Sequence, residues 1–169
     1  MQTLEGRQNR KAIWFWSALA TSGLSAILAL TWLWSSRQND IVAQQLPIKA
    51  TVEIGGRMFY LEVARTKRER QIGLMGRSQL APQRGMLFIF EGPEKAKFWM
   101  KDTKIALDMI FVSRGQVVDV VQMAPPCKTT ICQVYGGEKL ADSVIEVAGG
   151  TWQKLGLSIG HPIQIKRKE

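Results

Sequence analysis

Most of the charge that could do chemistry lies between Lys97 and Ser113. There KFWMKDTKIALDMIFVS sets Lys101, Asp102, Lys104 and Asp108 into a dense apolar run. From Ile105 the side chains alternate: Ile105, Leu107, Met109 and Phe111 share one face, and Ala106, Asp108, Ile110 and Val112 the other. Both faces are mostly apolar, so the segment reads as a central strand, in which a lone carboxylate at Asp108 requires a partner. Two roles fit such a residue. Asp108 is either a general base with Lys101 as its electrostatic stabiliser, or one half of a structural charge pair. Trp99, Lys101 and Asp102, with the more distant Tyr135, are also the candidates for contacting a ligand. The second chemical group is Cys127 and Cys132 in PPCKTTICQVYGG. On an exported domain an even cysteine pair is most simply a disulfide, and the four-residue gap is not the CxxC of thiol oxidoreductases. A metal is the poorer reading, because His161 would be the only added soft ligand and sits in a Gly-His-Pro turn. No metal and no cofactor is therefore expected. Ser-His-Asp ordering, a P-loop and a strand-linked GxGxxG are all missing, which disfavours familiar hydrolase and nucleotide chemistry.

The elements that must position these residues follow from charge and patterning. The 169 residues carry 23 basic and 14 acidic side chains, a net charge of +9. From Ile48 onward 19 basic residues face 12 acidic ones, leaving the domain at +7. Zinc-finger spacing, a helix-turn-helix pattern and an RNP-like strand are missing, so nucleic acid is not an expected partner. A basic surface near anionic lipid headgroups suits the composition better. Residues 1–11 form a basic head with Arg7, Arg10 and Lys11, and 12–36 carry no charge. Trp14 and Trp16 stand at one end of that window and Trp32 and Trp34 at the other, about 30 Å apart along a helix. This is the pattern of a single transmembrane anchor with its N-terminus in the cytoplasm, and it exports the rest of the chain. A cleaved signal is the alternative, with Ile41-Val42-Ala43 as the cleavage site and a secreted or periplasmic product, but the apolar stretch exceeds the usual h-region. Residues 37–47 read as a linker and 48–169 as the extracytoplasmic domain.

Within that domain Ile48 to Ile54 alternates as a half-buried strand, and Gly55-Gly56 suits a tight hairpin returning through Arg57 to Ala64. Thr66 with Glu69 forms a T-x-x-E capping box, predicting a short helix that runs past Leu74 and Met75 to Gly76. The adjoining GLMGR is either an anion site with Arg77 and Arg84 or an ordinary helix terminus. Met86 to Phe90 is a core strand closed by Glu91-Gly92-Pro93, and Arg114-Gly115 turns the central strand into Val117–Val121. Asp142 to Ala148 is a further strand, Gly149-Gly150 breaks it, and Thr151 to Leu157 is a short helix packed through Trp152. Pro162 to Lys166 closes the chain. Short strands separated by turn signals predict a mainly β, compact antiparallel sandwich or barrel with one or two short helices.

FWMKDT followed by LDMIFV, GLMGR with GMLFIF upstream, and APPC with a second cysteine and a tyrosine downstream resemble the domain of unknown function 192 family, also called uncharacterised protein family 0127. The resemblance spans roughly Thr51 to Lys166. It implies a compact, mainly β domain of the sandwich or barrel kind and no agreed substrate, cofactor or catalytic residue. The chain departs from the family pattern at Asp102, where asparagine is usual, and at Ala106 and Gln133, where proline is. The combined expectation is a membrane-anchored extracytoplasmic module binding a small molecule or protein at the face of the Cys127–Tyr135 loop, Trp99 and Lys101. An exported enzyme using Asp108 and Lys101 is the alternative, and a thiol-redox protein a third reading.

Overall fold

The computed structural model of the chain describes residues 41–168. The predicted head and anchor, and the first residues of the linker, lie outside the described residues. Among those described, no helix is long and apolar enough to cross a membrane.

The opening hairpin forms as its alternation predicts. Strand β1 (Ile48–Ile54) pairs antiparallel with β2 (Arg57–Ala64) across Gly55 and Gly56, both at positive φ. Helix α1 (Lys67–Ile72) follows, with Thr66 and Glu69 exchanging both bonds of the capping box. It stops sooner than its sequence suggests. Gly73, at φ 49°, ends it, and Leu74 turns into the core as part of the loop. Strand β3 (Arg84–Glu94) then runs parallel to β2, which corrects the expectation of a purely antiparallel sheet. The reason is the connection: a tight turn reverses a chain, whereas a crossover carrying a capped helix returns it in the original direction.

Strand β3 continues past the expected stop at Pro93. After β4 (Lys97–Trp99) come β5 (Leu107–Ser113), β6 (Gln116–Ala124), β7 (Val134–Gly136), β8 (Ala141–Ala148), α2 (Thr151–Leu155) and β9 (Ile165–Arg167). Seven strands form one mixed sheet in the order β6-β5-β8-β3-β2-β1-β9, and β4 with β7 forms a separate ribbon that the strand pattern did not reveal. The two outer strands approach each other, because Gln116 bridges to Pro162 just before β9.

Each face of the sheet carries its own core. Val52, Leu61, Leu87, Ile110, Ile145 and Trp152 pack on one side, and Leu74, Met86, Phe88, Met109, Phe111 and Val144 on the other. Strand β5 supplies both, with Ile110 and Val112 on the first face and Leu107, Met109 and Phe111 on the second, as its alternation required.

Candidate functional site

Three carboxylates are buried in this sheet, and comparing their partners locates the site. Asp108 is fully buried on β5, where β6 bulges opposite it. Its Oδ1 accepts the N–H groups of Met123 at 2.8 Å and Gly150 at 3.0 Å, and its Oδ2 accepts the Trp152 N–H at 2.7 Å. The partner that the burial demanded is therefore backbone, not a lysine. One carboxylate serves the N–H freed by the bulge together with the orphan donors at the start of α2. Glu62 on β2 is 3% exposed and forks onto Arg77, at 2.7 Å to Nη1 and 2.6 Å to Nη2, while also accepting the Leu46 N–H at 2.7 Å. The guanidinium that might have served an anion site at GLMGR is thus committed to Glu62 and to the Gln44 carbonyl.

Glu146 is the exception. It is 4% exposed on β8, its register partners are Met86 on β3 and Met109 on β5, and no hydrogen bond or ion pair reaches its carboxyl among the described residues. Loss of hydration alone pushes its pKa up to about 8. Sequence reading passed over this residue, although the signal was present. In DSVIEVA a single acid interrupts an apolar strand, just as Asp108 does in LDMIFVS.

Glu146 opens into a cavity of about 400 Å³. One wall is α1 and its exit, from Lys67 to Met75. The rest of the lining is largely aromatic: Phe88 and Phe90 from β3, and Phe98 and Trp99 from β4. Phe98 is clamped edge-on between Phe88 at 5.0 Å and Phe111 at 5.9 Å, which fixes the wall. Gly73 lines the cavity where an added Cβ would come within 3.3 Å of the Phe88 ring. Lys67, Glu94 and Lys97 stand at the exposed edge. Arg70 is also in the wall, but its guanidinium bonds the carbonyls of Arg65 and Ile89 and lies 5.5 Å from the Phe90 centroid.

Of the residues expected to bind a ligand, Trp99 lines this cavity and is 49% exposed. Lys101 sits beside it, with its ammonium 5.5 Å from the indole centroid. Asp102 is exposed at φ 54°, and its carbonyl accepts the Gly76 N–H. Tyr135, opposite Phe98 in the ribbon, is half-buried against the second core. Lys101, Asp102 and Tyr135 stay outside the cavity lining, and Lys101 points to solvent while Asp108 is sealed in the sheet. The cysteines form the expected bond, Cys127 to Cys132, and the Cys127 N–H reaches the Met100 carbonyl at 3.2 Å, so the closed loop is tied to the end of β4. His161 lies in a turn that hydrogen-bonds β6. Among the described residues, no three His, Cys, Asp or Glu side chains gather as metal ligands.

Residues 50–165 match the model of the family DUF192, described as uncharacterized ACR. Two crystal structures are similar. One, from Sinorhizobium meliloti 1021 and described provisionally as a transcription regulator, is 31% identical, covers 72% of this chain and 96% of its own, and superposes with a TM-score of 0.64. The other, from Novosphingobium aromaticivorans and described as a protein of unknown function, is 30% identical, covers 74% of this chain and 94% of its own, with a TM-score of 0.63. No curated protein matches the chain.

Proposed function

The chain belongs to the DUF192 family, a family defined by this domain and not by any activity, and from the geometry of its cavity we propose that it is a membrane-anchored extracytoplasmic module that binds a small, largely apolar ligand beside Trp99. The observation that carries the reading is the cavity itself. It is concave, lined by aromatic side chains of which Phe88 and Phe98 are held edge to face, and holds a buried carboxyl with no protein partner, which is the usual composition of a ligand pocket. The rest of the expected binding face adjoins it, since β4 and β7 carry Trp99 and the disulfide loop side by side. The uncharged, tryptophan-flanked window at 12–36 has the pattern of an anchor and supports an exported domain, as does the disulfide, because such bonds persist in oxidising compartments.

Neither alternative draws comparable support. Asp108 as a base would have to release backbone donors that hold the bulge of β6 and the start of α2, and Lys101 is not beside it. A regulator of transcription is not adopted either, because the two helices among the described residues, of 6 and 5 residues, are too short to read a groove as recognition helices do.

The test uses the full chain in lipid nanodiscs with fluorinated tryptophan, whose fluorine signals are assigned by replacement of single tryptophans. Titration with 2-acetylnaphthalene, a neutral bicyclic probe, is expected to shift the Trp99 signal saturably and leave Trp152, buried in the other core, unmoved. A Trp99 signal that is indifferent at saturating concentration both to this probe and to its cationic analogue 2-naphthylmethylammonium would sink the proposal.

A further inference from the structure

Resting on the cavity as a binding site, the next question is which chemistry its buried carboxyl selects, since the other buried polar side chain of the lining, Thr103, already donates to the Lys101 carbonyl. An unpartnered carboxyl at the base of an aromatic pocket admits two opposite answers. Ionised, it would be the counter-ion of an ammonium group held among aromatic faces. Neutral, it would donate a hydrogen bond through its own O–H, as a buried acid does when nothing nearby stabilises its charge.

The surroundings decide between them. Asp108 and Glu62 show how this protein satisfies a buried carboxyl group: three amide donors for one, a guanidinium fork and an amide for the other. Glu146 is given neither. Its flanks are Met86 and Met109, and its walls are Leu74 and the aromatic set. The charged groups facing the cavity from the packed elements are Lys67 and Arg70 on α1, Glu94 on β3 and Lys97 on β4, so cations prevail at the entrance. An ammonium ligand would have to pass them and then ionise the acid. An oxygen acceptor needs neither step.

We infer that the cavity takes an apolar, chiefly aromatic ligand bearing a carbonyl or comparable acceptor oxygen, and that Glu146 recognises it by donating a hydrogen bond from its neutral carboxyl. The group matches what the pocket lacks. Among the described residues Glu146 is the one buried carboxyl without an internal partner, so the ligand completes a hydrogen bond that the fold leaves open. Desolvation of Glu146 is consistent with this, since it holds the proton through neutral pH.

The experiment follows the Trp99 fluorine signal of the full chain in nanodiscs, with two probes sharing one bicyclic body: 2-acetylnaphthalene, with its acceptor carbonyl, and 2-naphthylmethylammonium. Wild type is expected to prefer the ketone, with affinity falling about tenfold between about pH 6.5 and about pH 9 as the donor proton is lost. Glu146→Gln, whose amide still donates, is expected to keep the ketone's affinity within about threefold and to abolish the pH dependence, which separates Glu146 from Lys67, Arg70, Glu94 and Lys97. Glu146→Leu is expected to weaken the ketone about tenfold at the lower pH, the loss of one hydrogen bond. Tighter binding of the ammonium probe, strengthening with pH and lost in Glu146→Gln, would make Glu146 a counter-ion and overturn this inference while leaving the binding site standing. Ketone affinity indifferent to pH and to all three side chains would overturn it as well. If neither probe moves Trp99, the binding site itself falls and this inference with it.

Discussion

The buried acids carry opposite energetic signs, and each makes a measurable prediction. Removing the Asp108 side chain leaves three inward backbone donors without an acceptor, so Asp108→Ala is expected to cost about 3–5 kcal/mol in chemical denaturation. A cost under about 1 kcal/mol would show that water replaces the carboxylate there. Glu146 behaves in reverse. Its folded pKa of about 8 lies above its ordinary 4.5, so below pH 4.5 the group is neutral in both states and takes nothing from stability. As the pH rises toward 8 the unfolded chain ionises and the native one resists, and stability falls by up to about 1.4 kcal/mol per pH unit across that window. Glu146→Leu is therefore expected to stabilise the protein by a few kcal/mol at pH 8 and by much less at pH 5, as read by denaturant midpoints. A gain that does not change with pH would mean that the carboxyl is already ionised in the folded protein. A residue that lowers stability at working pH is the kind retained for binding.

At the scale of elements, the short pieces are held by local devices with separable costs. Helix α1 depends on its capping box, so Thr66→Ala is expected to lose about 1 kcal/mol. The N–H groups of Thr66 and Arg65 lower the Glu69 pKa, so this support is present above the ordinary glutamate value and is lost as the pH falls through the lowered one. The ribbon of β4 and β7 has three pairs and relies on the closed cysteine loop beside it. Replacing both cysteines with serine is expected to cost about 2 kcal/mol, the closure entropy of so short a loop, and to speed amide exchange at Val134–Gly136 before the seven-stranded sheet opens. Uniform exchange across both sheets would show that the ribbon is not a separate unit of stability. The same ribbon explains a limit of pattern reading. KFW and VYG are too short for alternation to register, and their pairing joins segments over thirty residues apart, a relation no local rule encodes.

For the whole molecule, the proposed export bears on every use of the cavity. In native membranes the full chain is expected to show both cysteines protected from alkylation until reduced, whereas two reactive thiols would place the domain in a reducing compartment and remove the proposed placement. Much of the molecule was legible in the residues alone. Ile48–Ile54, Arg57–Ala64 and the two-faced strand through Asp108 follow from period-two alternation, the start of α1 follows from Thr66 and Glu69, and the cysteine pair follows from its count and loop. Each of these depends on neighbours within a few positions, or on which side of a strand a residue faces, and local sequence determines both. What the tertiary structure alone decided is who meets whom. It ran β3 parallel to β2, gave Asp108 backbone amides in place of a lysine, spent Arg77 on Glu62, and left Glu146 without a partner in a cavity lined by four aromatic side chains. The physical reason is that a charge in an apolar strand announces only that a partner is needed; whether one arrives depends on strand order, and strand order is settled by contacts between segments far apart in the chain.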